Sequence, residues 1–168
     1  QPVRDRSLVL GELTAWSAHR ASRVVVRTAT KNQLLGHLDR TFPGLTLALP
    51  DVLATRVGRL VAAEFPDPAR LAALGTARFI RFGATRGLQI RKPVADRLVQ
   101  AAREALPTAD AAVARAVLAA DLALLADLDA QVDTATDQLA RLLPRTPFAP
   151  LLTVPGWGVV RAGNYGGA

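Results

Sequence analysis

The chain has 168 residues and half of them are apolar, which is enough to bury a hydrophobic core without disulfides or a structural metal. It contains no Cys and no Met, so disulfide frameworks, thiolate metal sites and cysteine nucleophiles are excluded. No apolar run approaches the ~18 residues that span a bilayer, and no secretory signal is recognisable. We therefore expect a cytoplasmic protein without a membrane partner, and a fragment of a longer chain.

Charge is distributed unevenly along the sequence. There are 21 basic and 14 acidic residues, giving a net charge of +7 and a pI of about 11.3. Residues 1–103 carry 17 basic and 7 acidic side chains, whereas residues 104–143 carry 2 and 7. All basic residues except two are arginine, whose planar guanidinium suits phosphate oxygens. A polyanion is the first partner to consider, although GC-rich codon usage also produces arginine-rich composition.

The first predicted element is a helix of roughly 30 residues from Arg6 to Leu38, because this stretch has no Pro and one Gly. Four basic residues within it are three or four positions apart and align along the helix: Arg20, Arg23, Arg27 and Lys31. Aligned like charges repel unless anions lie between them, so we expect this row to contact phosphates. A solvated helix face, whose aliphatic stems cover apolar neighbours, is the alternative.

Residues from about 45 to 106 are expected to form a cluster of short helices, because Pro and Gly interrupt apolar residues at helical spacing. Asp51 and Asp67 are predicted N-caps, the second because Pro68 follows it at the first helical position. Later in this stretch, arginines surround a glycine-containing loop that can approach a nucleic-acid backbone closely. These predicted phosphate-binding residues are Arg78, Arg81, Arg86 and Arg91.

A second long helix with a heptad repeat is predicted between Pro107 and Leu143. Seven of its eight seam positions are apolar, and Asp121 is the exception. The seam consists of Leu118, Leu125, Val132 and Leu139 at position a, and Asp121, Leu128, Ala135 and Leu142 at position d. The acidic charge of this helix complements the first one, so we expect the two to pair. Pairing within one chain makes an all-α fold, a long antiparallel coiled-coil hairpin with the short helices inserted; pairing between chains makes a homodimer.

The last segment is predicted to begin a separate region. Three prolines between residues 144 and 150 predict an extended connector, and we place a domain boundary between 1–143 and 144–168. The sequence LLTVPGWGVVRA at 151–162 has the spacing of a helix-hairpin-helix turn, in which backbone N–H groups at a helix N-terminus face a phosphate. Gly156, Gly158 and Arg161 are the predicted contacts, and a purely structural turn is the alternative.

Four segments follow one another in an informative order. They are RVVVRTATKNQLLGHLDRTFPGL at 23–45, EFPDPARLAAL at 64–74, the aspartate-rich heptad helix, and LLTVPGWGVVRA at 151–162. Their order and separations resemble the middle of the IS-one-ten family of insertion-sequence transposases, which includes the Piv-type DNA invertases. The resemblance covers nearly the whole chain.

The resemblance implies the coiled-coil region and the start of the C-terminal transposase domain. The family's acidic metal ligands belong to an upstream nuclease domain, and its nucleophilic serine follows the glycine turn. Because neither matches a position here, we expect no catalytic residue, no metal site and no cofactor in this fragment, with Mg²⁺ acting in the complete enzyme. The implied role in DNA transposition is dimerisation and binding of DNA or a structured guide RNA. A basic helical adaptor that binds proteins, without a nucleic-acid role, is the alternative.

Overall fold

The computed structural model describes residues 2–107 and 109–167, with side chains from residue 8 onward. Throughout these ranges regular structure is helical and no strand occurs, which confirms the predicted all-α class. The α-helices are α1 (Pro2–Thr41), α2 (Leu45–Ala48), α3 (Arg56–Glu64), α4 (Pro68–Thr85), α5 (Lys92–Glu104), α6 (Ala111–Leu142) and α7 (Val159–Gly166). Short 3₁₀ helices lie at Leu143–Arg145 and Ala149–Thr153.

The chain divides into two compact units. The terminal unit comprises Gln1–Ala29 and Leu125–Ala168, and the central unit comprises Thr30–Leu124. Both long helices contribute residues to both units. These borders differ from the domain boundary that the sequence suggested at residue 144, because the residues on both sides of it belong to the terminal unit. That residues 144–168 begin a further domain stays a prediction.

In the terminal unit, α1 and α6 pack against each other in antiparallel directions. Arg20 contacts Thr136, while Arg27, further along α1, contacts Asp129, which lies earlier in α6. An apolar cluster forms the core of this unit, and Trp16 and Trp157 pack against it half-buried. The buried members of the cluster are Val9, Leu13, Leu139, Leu142, Leu143 and Ala162.

The heptad prediction for α6 is confirmed by burial. The apolar seam positions are at most 6 % exposed, as a helix that packs along one stripe requires. They are Leu118, Leu125, Leu128, Val132, Ala135, Leu139 and Leu142. Asp121, the polar exception, is half-buried in the central unit, where its Oδ2 lies 3.7 Å from Nε2 of His37.

The segment after α6 is more ordered than its prolines predicted. The prediction of an extended connector is wrong, because two 3₁₀ helices form there, each with a proline in its first turn. Glycines then allow α7 to approach the terminal core. A Cβ on Gly166 would lie 2.5 Å from Cδ2 of Phe148, and a Cβ on Gly163 would lie 3.3 Å from Cδ1 of Leu139. Close packing therefore explains glycines that are otherwise unfavourable in a helix.

In the central unit, helices α2 to α5 occupy the predicted short-helix insert. Asp67 caps α4 as predicted: its Oδ1 accepts a hydrogen bond from Ala69 N at 3.0 Å. The prediction for Asp51 is wrong, because α3 begins at Arg56 and Thr55 caps it, while Asp51 has φ +55° in the preceding turn. Four almost fully buried side chains belong to the core of this unit: Phe42, Leu71, Phe79 and Leu98.

Candidate nucleic-acid interface

The arginines of the α1 row in the terminal unit are directed partly into the fold. Arg20, Arg23 and Arg27 are all half-buried. The Arg20 Nε donates a hydrogen bond to Thr136 Oγ1 at 2.9 Å, and Arg27 Nη1 lies 3.3 Å from Asp129 Oδ1. The Arg23 Nε is buried and has no hydrogen-bond partner in the part of the chain that the structure describes.

These contacts account for the alignment of like charges that the sequence shows. Helix α6 supplies oxygen acceptors to Arg20 and Arg27, so an external anion is unnecessary at those two positions. Lys31, the last member of the predicted row, belongs to the central unit and is also half-buried. The structure therefore brings the row against the fold instead of presenting it as an open surface. Phosphate binding by this row stays a prediction.

The second predicted group is arranged differently. Arg78, Arg81, Arg86 and Arg91 are all exposed in the central unit. Arg78 and Arg81 are one turn apart on α4, and Arg91 immediately precedes α5. None of these three side chains forms a hydrogen bond or an ion pair with a described residue. Their guanidinium groups are therefore available to an external anion.

Arg86 is held in place. Its Nη1 lies 2.5 Å from Oε1 of Glu64, and its guanidinium carbon lies 4.3 Å from the centre of the Phe82 ring. The Phe82 ring in turn packs edge to face on Phe65, with ring centres 5.2 Å apart. The exposed arginine is thus part of an aromatic cluster that was not predicted from the sequence. The three phenylalanines at positions 65, 79 and 82 were the available signal.

Further exposed cations, also not predicted, lie on the same helices as the second group. Arg70 on α4 and Arg103 on α5 are exposed, and their side chains have no hydrogen-bond or ion-pair partner among described residues. The available signal was their charge, because an arginine is seldom fully buried unless it is paired. They extend the unpaired positive charge of the central unit beyond Arg78, Arg81 and Arg91.

The carboxylate of Asp96 in this unit is hydrogen-bonded to two neighbouring side chains. Asp96 accepts hydrogen bonds from Lys92 Nζ at 2.8 Å and from Thr76 Oγ1 at 2.9 Å. These bonds, the one from Lys92 having the larger effect, hold the pKa of the Asp96 carboxyl below its ordinary value. The contact from Thr76 connects α4 to α5, so Asp96 helps position the helices that carry the exposed arginines.

A hydrogen bond from Arg161 closes the glycine turn before α7. Gly156 has φ +82°, a conformation that favours glycine, and Gly158 is the N-cap residue of α7. Arg161 Nη1 donates to Gly156 O at 3.1 Å, so this guanidinium spans the turn. The turn connects a 3₁₀ helix to α7, and Trp157 packs 5.6 Å from the Tyr165 ring. A phosphate contact by Gly156, Gly158 and Arg161 stays a prediction.

The described residues contain neither a candidate metal site nor a candidate membrane-spanning helix. No group of three or more His, Asp or Glu side chains in these ranges is placed to hold a metal ion. Among the described helices, none combines the length and the apolar character needed to cross a membrane.

Comparison with known proteins identifies no relative of this chain. No protein-family model, no curated protein and no solved structure matches it. The resemblance to IS-one-ten transposases therefore depends on the four segments named above and stays a prediction. A function is therefore proposed from the geometry of the chain and from that resemblance.

Proposed function

We propose that this chain is a non-catalytic portion of a DNA transposase or site-specific recombinase, and that it binds nucleic acid through the central unit. The observation that carries the binding proposal is the exposure of Arg78, Arg81 and Arg91 without a hydrogen-bond or ion-pair partner among described residues. Within Thr30–Leu124, 13 side chains are basic and 8 are acidic, so the unit attracts polyanions.

Arginine suits this role better than a charge count alone indicates. A guanidinium donates two parallel hydrogen bonds to phosphate oxygens and keeps its charge at every physiological pH. Arg78 and Arg81 are one helical turn apart, about 5–6 Å between Cβ atoms, so both can contact one polyanion. Phosphate contacts fix the position of a nucleic acid without reading its sequence. We therefore propose binding with little sequence preference at these residues.

The remaining parts of the proposal depend on the resemblance. Transposition as the process, a homodimer, a structured guide RNA as a second ligand and a cytoplasmic location are all proposed on that basis. The Mg²⁺ of the complete enzyme fits no side-chain cluster among the described residues, so we assign it no role in this chain. The buried seam of α6 supports a packing role for the long helices.

Salt dependence tests the binding proposal with the full chain. The affinity for a fluorescent 20-base-pair duplex is measured by anisotropy. We expect the logarithm of the association constant to fall linearly with the logarithm of the salt concentration, with a slope of about −0.9 per neutralised phosphate. The Arg78→Ala/Arg81→Ala variant is expected to reduce that slope by about one unit for each phosphate that is no longer neutralised. The matched control is Arg141→Ala/Arg145→Ala, which removes the same charge from two exposed arginines of the terminal unit.

Equal loss of binding in both double variants would refute a site in the central unit, since only net charge would then matter. A slope near zero would refute nucleic-acid binding altogether. The adaptor alternative makes a different prediction: polyglutamate of the same charge displaces the duplex as well as unlabelled duplex does. We expect polyglutamate to compete poorly, because carboxylates on a flexible chain do not reproduce the phosphate spacing of a nucleic acid.

A further inference from the structure

A surface groove of about 460 Å³ lies beside the exposed arginines of the central unit. Its apolar lining comes from Phe65 at the end of α3 and from Leu74 and Phe82 on α4. Arg70 and Arg78 also line it. Grooves of this volume lie within the range of about 300–1,000 Å³ in which proteins bind small molecules and flat rings.

The aromatic part of the groove is held rigidly. Phe65 is 5 % exposed, and its ring packs edge to face on Phe79 and Phe82 with ring centres 5.7 and 5.2 Å apart. Phe65 therefore forms the floor of the groove, and the half-buried Phe82 is the ring that a ligand can reach. A preformed surface loses little conformational freedom when a ligand packs on it. The groove is therefore suited to a planar ring more than to a flexible chain.

A break in α4 separates the two arginines of the groove. Gly75 has φ +73° and ψ 167°, which interrupts the helix between Arg70 and Arg78. A side chain other than glycine is strained at this φ, so the break is built into the sequence. Because of it, the groove receives its two guanidinium groups from different helical segments.

The one carboxylate that lines the groove is already neutralised. Glu64 binds Arg86, whose guanidinium covers part of the Phe82 ring at 4.3 Å. The charge left at the groove is thus that of Arg70 and Arg78, which have no ion-pair partner among described residues.

We propose that this groove takes an unpaired nucleobase, with Arg70 and Arg78 on the flanking phosphates, so that the chain prefers single-stranded over duplex nucleic acid. This inference rests on the proposed function and refines it. Stacked aromatic rings beside basic side chains are the usual means of binding single strands, because every base presents a flat face. A base paired inside a duplex cannot enter the groove.

The test compares three labelled ligands of equal charge with the full chain. They are a 12-nucleotide oligothymidine, the same backbone without bases, and a duplex of the same number of phosphates whose two strands are joined by a base-free linker so that it stays paired. We expect oligothymidine to bind about tenfold more tightly than the base-free strand, a typical gain from one stacked base. The duplex is expected to bind like the base-free strand.

Two matched substitutions locate the effect. Ala73 lines the groove, and Ala77, four residues further along the chain and beyond the break at Gly75, does not. Both are exposed, so neither change disturbs the core. Ala73→Leu narrows the groove and is expected to bring oligothymidine binding down to that of the base-free strand. Ala77→Leu is expected to leave it unchanged. Circular dichroism of both variants checks that the helices are intact.

The possible failures are distinguishable. If the base-free strand binds as tightly as oligothymidine, or if Ala73→Leu has no effect, the groove does not hold a base, while salt-dependent duplex binding still supports the proposed function. If none of the three ligands binds, the proposed function itself is refuted. If a glutamate-rich peptide containing Trp displaces oligothymidine at equal concentration, the groove belongs to a protein partner and the inference is wrong.

Discussion

Two sets of arginines, one in each unit, differ in their surroundings. In the terminal unit, Arg20 and Arg27 bind Thr136 and Asp129 of α6 and are half-buried. In the central unit, Arg78, Arg81 and Arg91 are exposed and bind no described residue. The terminal unit has 8 basic and 6 acidic residues, against 13 and 8 in the central unit. The residue type is the same, and the difference lies in the acceptors that surround it.

This difference shows why a row of charges is a weak indicator of a ligand. The α1 row is regular because α6 packs beside it and supplies oxygens, so its regularity reflects helix pairing. Arg78, Arg81 and Arg91 of the central unit are less regularly spaced, yet their exposed side chains have no acceptor among the described residues. Acceptor availability, more than spacing, separates a structural arginine from one that is open to an external anion.

The largest effect is expected at Gly58, which lies in the central unit. A Cβ at this position would overlap the backbone oxygen of Val52, and backbone cannot move aside as a side chain can. We expect Gly58→Ala to lower the free energy of unfolding by about 3 kcal/mol, measured by urea denaturation. Nucleic-acid binding is expected to weaken with it if the central unit carries the site.

Gly36→Ala is the control for this substitution. Gly36 is a helical residue of the same unit, and a Cβ there meets nothing within 4 Å. The alanine is expected to raise the free energy of unfolding by about 0.5–1 kcal/mol, because it reduces the freedom of the unfolded chain. Similar destabilisation by both substitutions would contradict the packing argument for Gly58.

Much of the fold follows from the sequence because its causes are local. The heptad of α6 is a repeat along one helix, and the Asp67 cap depends on residues within one turn. The tight packing of α7 had no such local signal. Gly163 and Gly166 are tolerated in α7 because Leu139 and Phe148 lie against them, and those neighbours are brought there only by the tertiary fold.

The same distinction applies to the candidate site. Arg78, Arg81 and Arg91 were predicted as phosphate-binding residues from glycines and charges nearby in sequence, and the structure exposes all three. The acceptors of Arg20 and Arg27 are 116 and 102 residues away from them. Complementary charge predicted that the two long helices pair, but it did not indicate which residue of α6 accepts from which arginine. The groove was missed for the same reason, since it combines the end of α3 with both segments of α4.

A buried pair in the central unit gives the second largest expected effect. His37 and Asp121 approach to 3.7 Å, and both His37 ring nitrogens and Asp121 Oδ2 are buried without a hydrogen-bond partner among described residues. Replacing such a pair by apolar residues is often stabilising. We expect His37→Leu/Asp121→Leu to raise the free energy of unfolding by about 1–2 kcal/mol. The substitution would also complete the apolar seam of α6.

The two single variants check that interpretation by urea denaturation. Asp121→Leu alone gives the seam its missing apolar residue but leaves His37 without its partner, and His37→Leu leaves Asp121 alone, so each is expected to be less stable than the double variant. A double variant less stable than the unmodified protein would show that the pair stabilises the fold. Nucleic-acid binding is expected to be unchanged in all three variants, because these side chains are directed into the central unit.

The smallest expected effect gives the most direct test of the difference between Arg27 in the terminal unit and Arg78 in the central unit. A double-mutant cycle on Arg27→Ala and Asp129→Ala is expected to give a coupling of about 0.5 kcal/mol, since the two side chains are 27 % and 23 % exposed and water screens the pair. Arg78→Ala is expected to leave stability within about 0.5 kcal/mol and to weaken nucleic-acid binding. If Arg27→Ala weakened binding as strongly as Arg78→Ala, the terminal arginines would have to leave their acceptors on binding, and the division between structural and ligand-binding arginines would fail.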